Sequence, residues 1–334
     1  MKQVTSILKN ASIKFFSLAC ATAFCLGIQI AHAHDVWPSR AVRIVVPYAP
    51  GGAVDVATRK IAQKLTEQTG QSFVVENKPG ATGTIGVSQV AHAAADGYTL
   101  VANDTTYSLL PFVFKKLPFD HDHDLEPVAA FLFAPMVLVT NADGKYKTLQ
   151  DLLAAAKNKP GTVTYGSGGL GTTPYFAAEA LGIAADVKFM HVPFKGAAEA
   201  TKAILSHIID FQFASTSGVM GNIRSGKLLP LAISGSKRSS ALSKVPTFSE
   251  ASVKNFQGVV NWTGLWAPRG TPPAVIERLQ KEISTAIAAP DMKSFADNMG
   301  IEARYLDANA FKKMLSETSV MWGNVASKIN FQKH

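Results

Sequence analysis

Cysteine is almost absent: the 334 residues contain two, Cys20 and Cys25, both within the first 33. The chain beyond them can have no disulfide, thiolate metal site or cysteine nucleophile. In an oxidising compartment its stability must therefore come from its core, which about 300 residues can supply, usually as two domains. No run of five like charges occurs, and no basic stripe interleaves with aromatics, which excludes nucleic acid as a partner. A Walker A sequence, H-E-x-x-H and G-x-S-x-G are all missing. Nothing marks an enzyme, and no cofactor is expected.

What is present begins with the N-terminus. Lys2, Lys9 and Lys14 form a basic region, an apolar run follows from Phe15 to Ala31, and Ala31-His32-Ala33 is a small-residue exit site. That layout is a secretory signal peptide cleaved after about Ala33. The run is long enough for a membrane anchor, but the exit site and the abrupt switch to polar sequence favour cleavage and a periplasmic protein. Leu18 stands one position late for lipidation at Cys20. Without the three leader lysines, 30 basic residues face 24 acidic ones, a net +6. Such a mild positive field can steer anions towards a cleft.

The remaining chain alternates β-branched runs with amphipathic helical stretches, the pattern of βαβ units and mostly parallel sheets. Strands are expected at Ala41–Pro47, Ser72–Glu76 and Tyr98–Ala102, with helices between. Pro127–Thr140 is too long for one ordinary strand and carries Pro135, so it reads as a strand leaving one lobe for another. Alternation resumes with strands at Thr162–Tyr165, Val187–His191 and Ile208–Phe213, and Leu228–Ser234 suits the crossing back. Strand Val259–Ala267 and helices Pro273–Ala288, Met292–Met299 and Ala308–Lys328 follow. Residues 34–134 and 235–334 are thus expected to form one lobe and 135–234 a second, with a hinge at the two crossings and a cleft where strand C-termini meet.

The strand tips carry the candidate chemistry. Tyr48-Ala49-Pro50-Gly51-Gly52 leads into a helix whose N-terminus offers unpaired N–H groups to an anion, and Asp55 in its first turn complements the dipole. Asn77 to Thr84, with Thr82 and Gly83, repeats the arrangement. Asn103, Asp104 and Thr105 close the third strand. Gly166-Ser167-Gly168-Gly169-Leu170-Gly171 matches G-x-G-x-x-G. The next strand, however, runs into Pro193-Phe194-Lys195-Gly196 rather than an acid for a ribose, so the loop reads as a neutral anion cradle with Ser167, Gly168, Gly169 and Thr172 as donors. A side chain at Gly168 is expected to fill the carboxylate's space. Asp120-His121-Asp122-His123-Asp124 has zinc or copper ligand types. Pro118 and Pro127 bracket it as a surface loop, and a solvated loop is expected there.

These segments together resemble the solute receptors of tripartite tricarboxylate transporters, the Bug-type receptors. The resemblance rests on WPSR leading into IVVPYAPGGAVD, then VVENKPGATGTIG, ADGYTL, KLPFDHDHDLEPVA, YGSGGLGTTPYFAAE, HVPFKGAAEA and WTGLWAPRGTPPAVIERL, in order. It implies a type II periplasmic-binding fold, no enzymatic activity, and a small organic carboxylate held by backbone amides, hydroxyls and water. By position, the contacts implied are Tyr48, Pro50, Gly51, Gly52, Asp55, Thr82, Gly83, Asn103, Asp104, Thr105, Ser167 to Thr172 (Gly171 included), Lys195 and Gly196. Ser215, Thr216 and Ser217 are lesser candidates. Tyr175 stands where the family commonly has His, and the HDHD stretch replaces a less charged connector. The implied partner is a membrane transporter, docked transiently by a monomer; a sensor kinase that reads the liganded receptor is the alternative.

Overall fold

Apolar β-branched runs ending in glycine-rich turns become the strands, and the amphipathic stretches between them become helices. The computed structural model describes residues 37–254, 256 and 260–333. The expected signal peptide, with its cleavage after Ala33, lies outside the described residues. From Arg40 onward the chain forms one unit. Its first half runs β1 (Val42–Val46), α1 (Ala53–Thr69), β2 (Phe73–Asn77), α2 (Thr84–Ala91), β3 (Thr99–Asp104) and α3 (Leu110–Val113) into β4 (Leu125–Asn141). The second half follows with α4 (Leu149–Asn158), β5 (Thr164–Ser167), α5 (Thr173–Ala185), β6 (Met190–Pro193), α6 (Ala197–Leu205), β7 (Phe211–Ser215), α7 (Thr216–Arg224) and β8 (Leu228–Ile233). The chain returns through β9 (Val260–Pro268), α8 (Pro273–Ala288), α9 (Pro290–Met299), β10 (Glu302–Leu306) and α10 (Ala308–Lys328).

The strands lie in the order β2-β1-β3-β9-β4-β7-β5-β6, with β8 and β10 also on β4. The outer three of each half, β2-β1-β3 and β6-β5-β7, are parallel, as the βαβ pattern requires. Every ladder that involves β4 or β9 is antiparallel, so the expected mostly parallel sheets hold for the outer strands and not for the crossing ones. Strand β4 is 17 residues long and changes partners at its proline. Leu125 to Pro135 pair with β9, and Met136 onward pairs with β7 and β8. Proline has no N–H to give a ladder, so a change of partners is a position it tolerates. Beside it, Ser234 donates its N–H to the Met136 carbonyl and accepts from the Met136 N–H through its hydroxyl, both at 2.8 Å. The two connections between the halves therefore meet at residues 135–136 and 234.

Each half has its own core. Val45, Val101, Phe133, Trp262, Trp266 and Phe311 fill the first. Tyr165, Phe176, Phe211, Phe213 and Trp322 fill one face of the second, and Val139, Ile204, Val219 and Ile233 the other. The segment expected with the first lobe does not stay there throughout. Phe248, Val253 and Phe256 pack on the second half, with Phe248 stacked on Phe213 at 5.6 Å between centroids. Helix α10 spans both halves, placing Phe311 in the first core and Trp322 against Phe176 in the second.

Candidate functional site

In the first half, the β1–α1 loop is held from behind. Asp55 is 3% exposed, and its carboxylate accepts from the Gly51 N–H (2.9 Å), Asn77 Nδ2 (2.9 Å) and the Arg59 guanidinium. Burial alone would raise its pKa; the hydrogen bonds from Arg59, Gly51 and Asn77 outweigh that and hold it below the usual carboxylate value. Asn77 also donates to the Tyr48 carbonyl at 3.0 Å. Asp55 therefore shapes the turn from Tyr48 to Gly52 instead of projecting from it. Pro50 and Gly51 are exposed, and Gly51 has φ +82°, a left-handed turn conformation suited to glycine.

Three strand tips meet at Tyr48. A Cβ on Gly83 would lie 3.7 Å from the Tyr48 ring and 3.4 Å from Pro47, so glycine lets the second loop, with Thr82, close against the first. The Tyr48 hydroxyl lies 2.7 Å from Asn103 Oδ1 and 2.9 Å from Asp104 Oδ1. Asn103 and Asp104 are the last residues of β3 itself and not part of a loop beyond it. Thr105 follows, accepting from the Trp262 N–H through its hydroxyl and donating its own N–H to Asn261 Oδ1, each at 3.4 Å.

In the second half the glycine loop closes on itself. The buried Ser167 hydroxyl lies 2.7 Å from His191 Nε2 and 2.9 Å from the Gly169 carbonyl, and it accepts the Gly169 N–H at 3.1 Å. Thr172 donates its hydroxyl to the same carbonyl at 2.8 Å. Both hydroxyls are spent inside the loop, which leaves backbone N–H groups as its free donors. Gly168 corrects the expectation made for it. A Cβ there would meet Ala197 N at 3.3 Å and Gly196 Cα at 3.4 Å, so its missing side chain admits the neighbouring loop, and not open space for a ligand. Lys195 is exposed, with its N–H donating to Glu199 Oε2 at 3.1 Å.

Helix capping is uneven across the molecule. Helices α1, α2, α5, α6 and α7, which begin at strand tips, have no side-chain cap. Away from the tips, α4 has a complete Thr148–Asp151 capping box and α10 is capped by Asp307, while α8 and α9 begin at prolines without a side-chain cap. Uncapped first-turn N–H groups remain available to water or an anion.

The halves touch at these ends. The Thr106 and Thr173 hydroxyls are 3.0 Å apart, and a Cβ on Gly171 would come within 2.6 Å of both Val113 methyls. Ala53, Val56, Leu132, Ser215, Ser217 and Asn261 contribute to a recess of about 10 Å³, room for one water. Of the candidates, Ser215 and Ser217 line it. A larger cavity, about 700 Å³, lies on the outer face of α5 and β6 and includes Tyr175, Glu179 and His191. It takes in none of the strand-tip loops beyond Leu170. Asn261, Thr106 and Thr173 carry more of the meeting zone than their sequence context suggested; the available signal for Asn261 was a lone amide in an apolar strand.

The HDHD stretch forms a turn closed by Asp120 and tied to Tyr107. Asp120 Oδ1 accepts from the N–H groups of Asp122 and His123 and lies 3.0 Å from His123 Nδ1, while His121 stacks on Tyr107 at 4.4 Å. Among the described residues no group of three His, Cys, Asp or Glu side chains could hold a metal ion, and no helix is long and apolar enough to cross a membrane.

A two-lobed α/β molecule whose halves meet at strand tips is the architecture of periplasmic solute-binding proteins, and the comparisons narrow the class. Residues 57–331 match the model of the tripartite tricarboxylate transporter family receptor. A UPF0065 protein encoded between tcbD and tcbE in Pseudomonas sp. strain P51 is 37% identical over 268 residues, 80% of each chain. Among solved structures, periplasmic binding protein BugD has a TM-score of 0.83 at 29% identity, covering 89% of this chain and all of BugD. The R. palustris protein Rpa4515 with adipate has a TM-score of 0.84 at 28% identity, covering 87% of this chain and 97% of its own. MatC from Rhodopseudomonas palustris with bound malate has 0.80 at 29%, covering 87% and 100%. The chain belongs to the tripartite tricarboxylate transporter receptor family, whose members are solute-binding proteins and not enzymes.

Proposed function

We propose that this chain is an exported, periplasmic receptor that captures a small organic carboxylate between its lobes and delivers it to a tripartite tricarboxylate-type secondary transporter. The observation that carries the reading lies at the strand tips, where helices α1, α2, α5, α6 and α7 all begin without a side-chain cap and leave first-turn N–H groups open. Aligned dipoles and free N–H groups favour an anion without any cationic side chain. Bound adipate and malate in structural relatives agree with that chemistry. In this reading Gly52, Thr82 and Gly171 face the ligand, while Asp55, Ser167 and Thr172 hold the loops that do, and the N–H groups of Gly51, Gly83, Thr105 and Gly169 are bonded within the protein. A recess of about 10 Å³ cannot admit a carboxylate, so entry requires the lobes to part about residues 135–136 and 234. The net +6 of the chain beyond its leader steers the anion towards the opening.

Isothermal titration against a panel of mono-, di- and tricarboxylates tests this. Saturable binding without turnover is expected, with unfolding free energy raised by about 2.7 kcal/mol at a ligand concentration of 100 Kd. Silence from every member of the panel up to millimolar concentration would overturn the reading.

A further inference from the structure

We propose that the outer cavity on helix α5 and strand β6 is a second ligand site, separate from the cleft, and that it takes an organic cation (an ammonium or guanidinium on an apolar body) with Glu179 as the counterion.

Glu179 is a half-buried carboxylate that lines this cavity, and no cationic side chain meets it there. It follows Tyr175 by four residues on α5, so the two share one face of the helix. Its Oε1 accepts from the hydroxyl of Tyr165, a fully buried residue of β5, at 2.6 Å. Among the described residues Glu179 makes no other hydrogen bond and no ion pair. An ionised carboxylate has about four acceptor sites, so Oε2 keeps its full capacity. Three rings gather beside it: Tyr175 meets His191 edge to face at 4.8 Å, and Tyr165 lies 4.9 Å from His191. None of them supplies a positive charge. Burial pushes the His191 pKa down to about 4, so at neutral pH the ring is uncharged. Burial, and after it the Glu179 charge, push the Tyr175 hydroxyl up to about 12.

The cavity holds about 700 Å³, within the range of about 300–1,000 Å³ typical of small-molecule sites. Leu170 and Ile183, 43% and 39% exposed, give it apolar walls. Lys157, Lys188 and Asp186 also border it, but all three are exposed, where water and salt screen them. A carboxylate entering here would meet Glu179 as a like charge. An uncharged donor would bond to Oε2 and leave the charge uncancelled. A cation supplies the donor and the counterion together, and aromatic rings attract it further. The site does not depend on what the cleft binds.

Titration calorimetry with two matched pairs tests the assignment: phenethylamine with 2-phenylethanol, and phenylguanidine with phenylurea. The cationic member of at least one pair should bind saturably with a Kd of about 1 mM or tighter, and its uncharged counterpart about tenfold or more weakly. Glu179→Gln keeps an oxygen for the Tyr165 hydroxyl and should weaken the cation by about tenfold while leaving the uncharged member nearly unchanged. In the methyl-labelled wild-type protein, the bound cation should shift the signals of Leu170 and Ile183. Failure of both cations to bind at about 10 mM, or equal binding of charged and uncharged members, would overturn the assignment without any variant. Shifts that spare Leu170 and Ile183, or an unchanged cation affinity in Glu179→Gln, would do the same.

Discussion

Gly171→Ala tests how the two halves meet. The residue has φ +79°, and a Cβ there would lie 2.6 Å from both γ-methyls of Val113. A left-handed conformation costs an L-residue about 1–2 kcal/mol. Carbon atoms prefer 3.5–4.0 Å, so the contact is short by about 1 Å. Val113 cannot yield easily, being fully buried in the cluster that contains Leu109, Phe176 and Trp322. Overpacking of this kind costs about 1–3 kcal/mol, giving a total loss of about 2–5 kcal/mol and lobes held slightly apart. Val113→Ala removes the two methyl contacts, leaving its Cβ at 3.2 Å, and does not remove the backbone strain. In urea unfolding, the double variant should therefore be more stable than the sum of single effects predicts, with a coupling of about 1–3 kcal/mol. Ligand affinity should fall in Gly171→Ala and recover in part in the double variant. Purely additive unfolding energies, or a Gly171→Ala protein with wild-type stability, would refute the contact.

Two further outcomes follow from buried polar groups. Asp55→Ala leaves the Gly51 N–H and Asn77 without their acceptor and should cost about 1–3 kcal/mol in chemical unfolding, with weaker ligand binding. Because the folded Asp55 pKa is depressed, its contribution is present above about pH 4 and should fade as pH falls below that. His191 gives the same pH trend from a different cause, since burial pushes its pKa down to about 4. The unfolded chain then binds the extra proton between about pH 6.5 and 4, so stability should drop as pH falls through that window. The drop should be less than about 3 kcal/mol, the loss for a fully buried group, because solvent screens a partly exposed ring. Thermal melts of wild type and His191→Phe across the window check it; parallel curves would refute it.

Several features were readable because they depend on local periodicity. The alternation of strands and helices, the limits of α8 and α10, and the long strand with Pro135 all follow from side-chain patterns that sheets and helices require. Strand ends in the second half were less legible. The strands expected at Thr162–Tyr165, Val187–His191 and Ile208–Phe213 lie two or three residues later, at Thr164–Ser167, Met190–Pro193 and Phe211–Ser215. Their apolar entry residues suggested earlier strands, but ladder pairing uses backbone groups and continues into the polar tips. Strand β10 was not anticipated: its residues are mostly half-exposed and leave little hydrophobic pattern.

By itself the sequence determined the α/β class, the glycine-rich tips and the family, since these reside in short contiguous segments. Tertiary structure alone decided what each tip residue does. The identity of Asp55 did not show that Arg59 and Asn77 would surround it, nor did that of Asp104 show that no cation would. Gly168 looked like room for a ligand until Gly196 and Ala197 proved to fill it. Such distinctions depend on neighbours up to 157 residues away in the chain, and hydrogen bonding and charge compensation act through space, where local patterns carry no record of them.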